Sequence, residues 1–172
     1  MTLRISGRQV SINVRKVLWT AAEIGLPVDH DAAPDPATLR ALNPNALVPV
    51  IEDEGFVLWE SNAICRYLAA RHGRVDLLPA DPAARARVEQ WMDWQATELN
   101  PAWRPAFLAL MRGNPERLDA AGIAASAAAW NARMALLDAH LASGRAYVAG
   151  DAFTLADLVL ALCTHRWHLT PV

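Results

Sequence analysis

Three short stretches of the 172-residue chain combine residue types that handle ions. Glu60-Ser61 opens a helical pattern. The free N–H groups and positive dipole end of a helix start attract an anion. Ser61 can cap the helix and also bond a carboxylate, while Glu60 can accept from an ammonium group. The pair suits an amino-acid head, with NH₃⁺ and COO⁻ on one carbon. The same residues also make an ordinary N-cap. Ser11-Ile12-Asn13 precedes another helical pattern. There the Ser11 hydroxyl either caps the helix or donates a hydrogen bond to a thiolate. Pro49 lies in the apolar run Leu47-Val48-Pro49-Val50-Ile51 and cannot donate to a sheet ladder. It marks an edge strand. If the Val48–Pro49 bond is cis, it instead turns the Val48 backbone outward to pair with an extended peptide.

The elements that must position these residues are readable from periodicity. Leu3 and Ile5 alternate with Thr2 and Arg4, as in a half-buried strand. Val14, Val17, Leu18, Ala21 and Ile24 follow a helical period, with Gly25 just past the end. A second short strand fits Pro27-Val28-Asp29-His30. Asp35-Pro36 reads as an N-cap with proline at the first helical position, and that helix stops by Asn43-Pro44. Leu47–Ile51 reads as a strand. Glu52-Asp53-Glu54-Gly55 is a turn leading into Phe56-Val57-Leu58-Trp59, a hairpin pattern. The helix after Glu60 has Ile64, Tyr67 and Leu68 as its inner face. The order is βαβ, a helix, then ββα.

Leu78-Pro79-Ala80-Asp81-Pro82 reads as a linker, and beyond it the pattern is helical throughout. A long helix runs from about Ala83 towards Met111 and bends near Asn100-Pro101 and again at Pro105. Another runs from about Pro115 through Trp130 and Leu137 to Leu141, and a third begins at Thr154. Thr154 and Asp157 form a variant capping box, with Phe153 and Leu158 placed as a hydrophobic staple.

Composition narrows the function. Acidic residues number 18 and Lys+Arg 16, a net charge of −2, which favours neither nucleic acid nor an anionic membrane. Cys65 and Cys163 make no disulfide framework and no zinc site. The N-terminus lacks a signal-peptide run, and no stretch suits a membrane span. A cytoplasmic protein is the expectation. Cys65 reads as a buried small hydrophobe, and no Cys-x-x-Cys supports redox chemistry. His165-x-x-His168 has helical spacing but no third metal ligand. Trp91, Trp94, Trp103 and Phe107 read as core or dimer packing; Trp103 and Phe107 also suit a substrate pocket.

The motifs jointly resemble the glutathione S-transferase family, and within it theta-like bacterial members with a serine at the active site. Ser11-Ile12-Asn13-Val14-Arg15-Lys16-Val17 matches the first-helix motif. Asn43-Pro44-Asn45 through Val48-Pro49-Val50 matches the glutathione-backbone strand. Glu60-Ser61-Asn62-Ala63-Ile64 matches the γ-glutamyl motif, and Phe153–Leu158 that of the helical domain.

The resemblance implies an α/β plus all-α protein: a thioredoxin-like domain over 1–78, then a helical-bundle domain over 79–172. It implies a cis Pro49 and glutathione, as co-substrate, held by Val48, Pro49, Glu60 and Ser61. Asn13, supporting the Ser11 loop, joins that binding set, and Ser11 activates the thiol. The acceptor would be an apolar electrophile bound between the domains, with Trp103 and Phe107 lining its pocket. No metal is implied. A detoxifying homodimer is expected, with Arg85, Val88, Glu89 and Met92 at the contact.

Two departures stand out. Leu47 occupies a position that is polar in many relatives. The chain also stops at Thr170-Pro171-Val172, where relatives continue, so an open acceptor site and weak or no conjugation are expected. The rival readings are a glutathione-binding or protein-interaction module without catalysis, and a thiol reductase. Serine rather than cysteine at position 11 disfavours the latter.

Overall fold

The computed structural model describes residues 2–113 and 119–172. Its contacts divide into two units, Met1–Pro82 and Ala83–Val172. In the first unit the chain forms β1 (Leu3–Ser6), α1 (Ile12–Ile24), β2 (Val28–Asp31) and α2 (Pro36–Leu42). Then come β3 (Val50–Asp53), β4 (Phe56–Trp59) and α3 (Ser61–Arg71). The sheet order is β2-β1-β3-β4. β1 and β2 are parallel, as the intervening helix α1 requires. β3 runs antiparallel to β1 and to β4. This is the mixed sheet of a thioredoxin-like domain. Glu54 and Gly55, with φ of 52° and 87°, close the β3–β4 hairpin. Positive φ at both central residues matches the strands' right-handed twist.

Local chemistry sets the element ends. Gly25, at φ 79°, ends α1 by donating to the carbonyls of Ala21 and Ala22. Asp35 starts α2 by accepting from the Thr38 N–H at 2.8 Å. Ile5, Val14, Val17, Val50, Ile51, Ile64 and Leu68 form the buried core of this unit. Each such aliphatic side chain contributes about 1.5–3 kcal/mol by leaving water. Two sequence expectations shift. β3 begins only at Val50, after Pro49; Leu47 and Val48 lie ahead of the ladder. The inner face of α3 is Ile64, Cys65, Leu68 and Ala69, not Tyr67. Tyr67 sits on the flank because its hydroxyl donates to Asp53 at 2.8 Å. Arg71 bridges Asp53 and Glu54 beside it, fastening the end of α3 to the hairpin turn.

The second unit holds α4 (Pro82–Trp94), α5 (Asn100–Met111), α6 (Ala120–Ala142) and α7 (Leu155–His168). A wide π turn over Gln95–Leu99 joins α4 to α5. It stands just ahead of Pro101, which has no N–H to continue the regular ladder. Farther along α5, the Ser126 hydroxyl donates to Ala102 C=O and accepts from Ala106 N–H, spanning the turn that contains Pro105. The expected start of the next helix at Pro115 lies outside the described residues. α6 is described from Ala120, with Asp119 accepting from the Gly122 N–H at 2.7 Å. At α7, Asp157 Oδ2 accepts from both the N–H and the hydroxyl of Thr154, and its Oδ1 accepts from Val148 N–H.

Val88 and Met92 are 1% and 0% exposed. They are core residues of their own chain, which corrects their expected place at a dimer contact. Arg85 forms an ion pair with Glu89, one turn along α4. Among the described residues no helix is long and apolar enough to cross a membrane.

Candidate functional site

Strand register gathers the candidate residues of the first unit. Ser6 of β1 pairs with Val50 of β3, and Val50 pairs with Trp59 of β4. This line crosses the sheet at one end. From that end the chain leaves β1 through Gly7 towards Ser11, enters β3 from Val48-Pro49, and leaves β4 into Glu60-Ser61. Ser11, Val48, Pro49, Glu60 and Ser61 therefore belong to three loops at one edge.

Each loop has its own device. The Val48–Pro49 peptide is cis. Val48 lies in a bend before the ladder, and none of the described turn bonds uses its N–H or C=O. Asn43, only 3% exposed, holds the approach to it. Its Nδ2 donates to Leu47 C=O at 2.8 Å, and its Oδ1 accepts from Asn45 N–H at 3.0 Å. Leu47 itself is 61% exposed.

Gly7 sits between these loops at φ +143°, a conformation that favours glycine. β2 pins it from the other side: its N–H donates to Asp31 C=O, and its C=O accepts from His30 Nε2 at 2.7 Å. Composition and periodicity do not point to this role. The signal was its place between a strand and a helix start.

Ser11 is the N-cap residue of α1, half-buried, with an extended backbone at ψ 123°. Its C=O accepts from Arg15 N–H, yet its hydroxyl makes no capping bond. The hydroxyl is left for another partner at the positive end of a helix whose first turn holds no acid. Asn13 Oδ1 is enclosed and meets no donor among the described residues. That oxygen does not tie down the Ser11 loop.

Glu60 precedes α3 at φ +74°, a strained conformation for a non-glycine residue. Such strain costs about 1–3 kcal/mol and clusters at ligand sites. Its side chain is exposed and makes no cap bond, although its C=O accepts from Ile64 N–H. Ser61, next to it, is 5% exposed, and the first turn of α3 also lacks acids.

Neither cysteine is exposed. Cys65 is fully buried on α3, and burial pushes its thiol up to about 11. Cys163 is buried too, receiving a hydrogen bond from Gln95. Among the described residues no group of three or more metal-ligating side chains converges.

In the second unit Trp103 is buried, and its indole donates to Asn100 at 2.9 Å. Phe107 meets it edge-on at 5.4 Å and is half-buried. The Arg166 guanidinium lies 4.4 and 4.2 Å from the two ring centres. Stacking on Arg166 and a bonded indole fix this pair in place.

Comparison with known proteins follows the same division. The family described as "Glutathione S-transferase, N-terminal domain" matches residues 10–71. The chain is 42% identical to glutathione S-transferase GstB of Escherichia coli K12 over 168 residues, covering 90% of this chain and 78% of that protein. It is 36% identical to glutathione S-transferase 3 of Zea mays, covering 93% and 76%. A solved theta class glutathione S-transferase from Xanthomonas axonopodis pv. citri, with glutathione bound, superposes with a TM-score of 0.90. That pair is 38% identical and covers 99% of this chain and 84% of the other.

Proposed function

The chain belongs to the glutathione S-transferase family, and from that premise we propose which of its residues perform the transfer. The chain is a glutathione transferase. Glutathione lies extended along the edge of the first unit. The Val48 backbone, turned out beside Pro49, pairs with its central peptide. Glu60 accepts from the γ-glutamyl ammonium, and Ser61 with the free N–H groups of α3 receives the neighbouring carboxylate. Asn13, in the first turn of α1, belongs to the same binding set.

Ser11 then acts on the sulfur. A free thiol near pKa 8.5 is only a few per cent ionised at pH 7. A hydroxyl donor and the α1 dipole stabilise the thiolate as the thiol proton passes to solvent. The sulfur lone pair forms a C–S bond with the electrophilic carbon, and the leaving group departs with the bonding pair. Ser11 forms no covalent bond in this sequence. Phe107, half-buried, offers aromatic surface to an apolar acceptor, with the buried Trp103 packed behind it. A homodimer in the cytoplasm, serving detoxification, belongs to the same proposal.

The observation that carries the assignment is the Ser11 hydroxyl, which stands at a helix start without capping it. The test is turnover of glutathione with a chlorinated dinitrobenzene. Conjugation that falls sharply in Ser11→Ala supports the assignment. Conjugation that is unchanged in Ser11→Ala contradicts it.

A further inference from the structure

Lys16 is 1% exposed, in the middle of α1. Lysine is almost never so buried unless its ammonium is bonded, because removing the charge from water is costly. Here the ammonium Nζ donates to Asn62 Oδ1 at 3.1 Å. Asn62 is the second residue of α3, immediately after Ser61. The bond therefore joins the helix that Ser11 opens to the first turn of the helix that Ser61 opens. A cation beside a helix N-terminus opposes the helix dipole, so helix stability alone does not account for it. The same location suits an anionic ligand.

We propose that Lys16 is a positioning residue for the transfer. Through Asn62 it clamps the start of α3 to α1, fixing the γ-glutamyl contacts of Glu60 and Ser61 against the thiol contact of Ser11. This rests on the functional reading above. Lys16 touches neither the sulfur nor the acceptor in this account. Loss of the clamp loosens the hold on glutathione and misaligns its sulfur, leaving electrophile recognition alone.

The test is a double-mutant cycle on glutathione affinity with Lys16→Met, Asn62→Ala and the pair, each checked for folding by its melting transition. Loss of one hydrogen bond to a charged group corresponds to a roughly tenfold rise in Kd for either single variant. The double variant should show no further loss, because contacting residues couple. KM for the electrophile should stay at the wild-type value. Should Lys16→Met fail to fold, Asn62→Ala carries the test alone. A folded variant with wild-type glutathione affinity, or strictly additive losses, overturns the clamp. A wild-type chain that binds no glutathione sinks the site reading itself, a separate and distinguishable result.

Discussion

Gly7 and Val48 approach so closely that a Cβ built on Gly7 would stand 2.8 Å from the Cβ of Val48. The same atom would lie 2.5 Å from Val14 Cγ2 on α1. A missing side chain thus lets the cis-proline loop pack against the turn that leads to Ser11. Gly7→Ala should cost about 2–4 kcal/mol, from backbone strain and overpacking together. The fraction that folds should bind glutathione at least tenfold more weakly. Gly25→Ala is the control. Gly25 also has positive φ, but nothing lies within 4 Å of its added Cβ. It should lose about 1 kcal/mol with affinity unchanged. Urea unfolding and calorimetric titration of both variants make the comparison.

Asp157 should separate stability from binding. Its carboxylate accepts from Thr154 twice and from Val148. Asp157→Ala leaves buried N–H groups without partners and should cost about 2–4 kcal/mol. Glutathione affinity of the protein that still folds should not change, because Asp157 belongs to the second unit. A normal melting temperature with lost affinity would contradict this.

Cys65 should report on alkaline stability. Burial raises its thiol from 9.0 to about 11. Between those values the unfolded chain loses the proton and the folded chain keeps it. The contribution is fully present below about pH 9 and lost as pH rises through about 11. Unfolding free energy should fall with pH across that window, and the slope should be shallower in Cys65→Ala. Equal slopes would place the thiol in contact with water. At pH 8 an aromatic disulfide reagent should titrate Cys65 only after denaturation.

Assembly is tested by sedimentation. A mass of twice the 18.8 kDa chain at micromolar concentration is the expected result. Val88 and Met92 are occupied in their own core. Charge reversal at Arg85, whose partner is Glu89, probes the α4 surface instead. A mass near 19 kDa for the wild type would contradict the dimer.

Much of the fold could be read from the sequence because local signals agreed with it. Asp35-Pro36, Gly25 and the Thr154–Asp157 box each end or start a helix where their chemistry says. The misses have physical causes. Leu47 and Val48 are strand-like residues, but they stay ahead of β3, which starts after the cis peptide. Tyr67 falls on the helical period of the core yet turns out to reach Asp53, because its hydroxyl needs a partner. The π turn at Gln95–Leu99 has no periodicity of its own. Of the candidate site, residue types and order were legible. The strain at Glu60, the Gly7 packing and the burial of Lys16 were not. The last two depend on neighbours distant in sequence, which a linear pattern does not contain; the positive φ of Glu60 is a backbone state that its residue type does not signal.

The central claim is that the Ser11 hydroxyl stabilises the glutathione thiolate. Its most direct test is the thiolate absorbance of bound glutathione, titrated from about pH 5 to 9 in wild type and Ser11→Ala, a range spanning the free thiol pKa. One charge-assisted hydrogen bond is worth about 1.5–3 kcal/mol, or roughly one to two pKa units. The account predicts that Ser11→Ala raises the thiol pKa by that amount. Affinity at low pH should hold, because Glu60 and Ser61 still bind the γ-glutamyl end. Superimposable titration curves would contradict it and leave Ser11 as no more than a backbone N-cap.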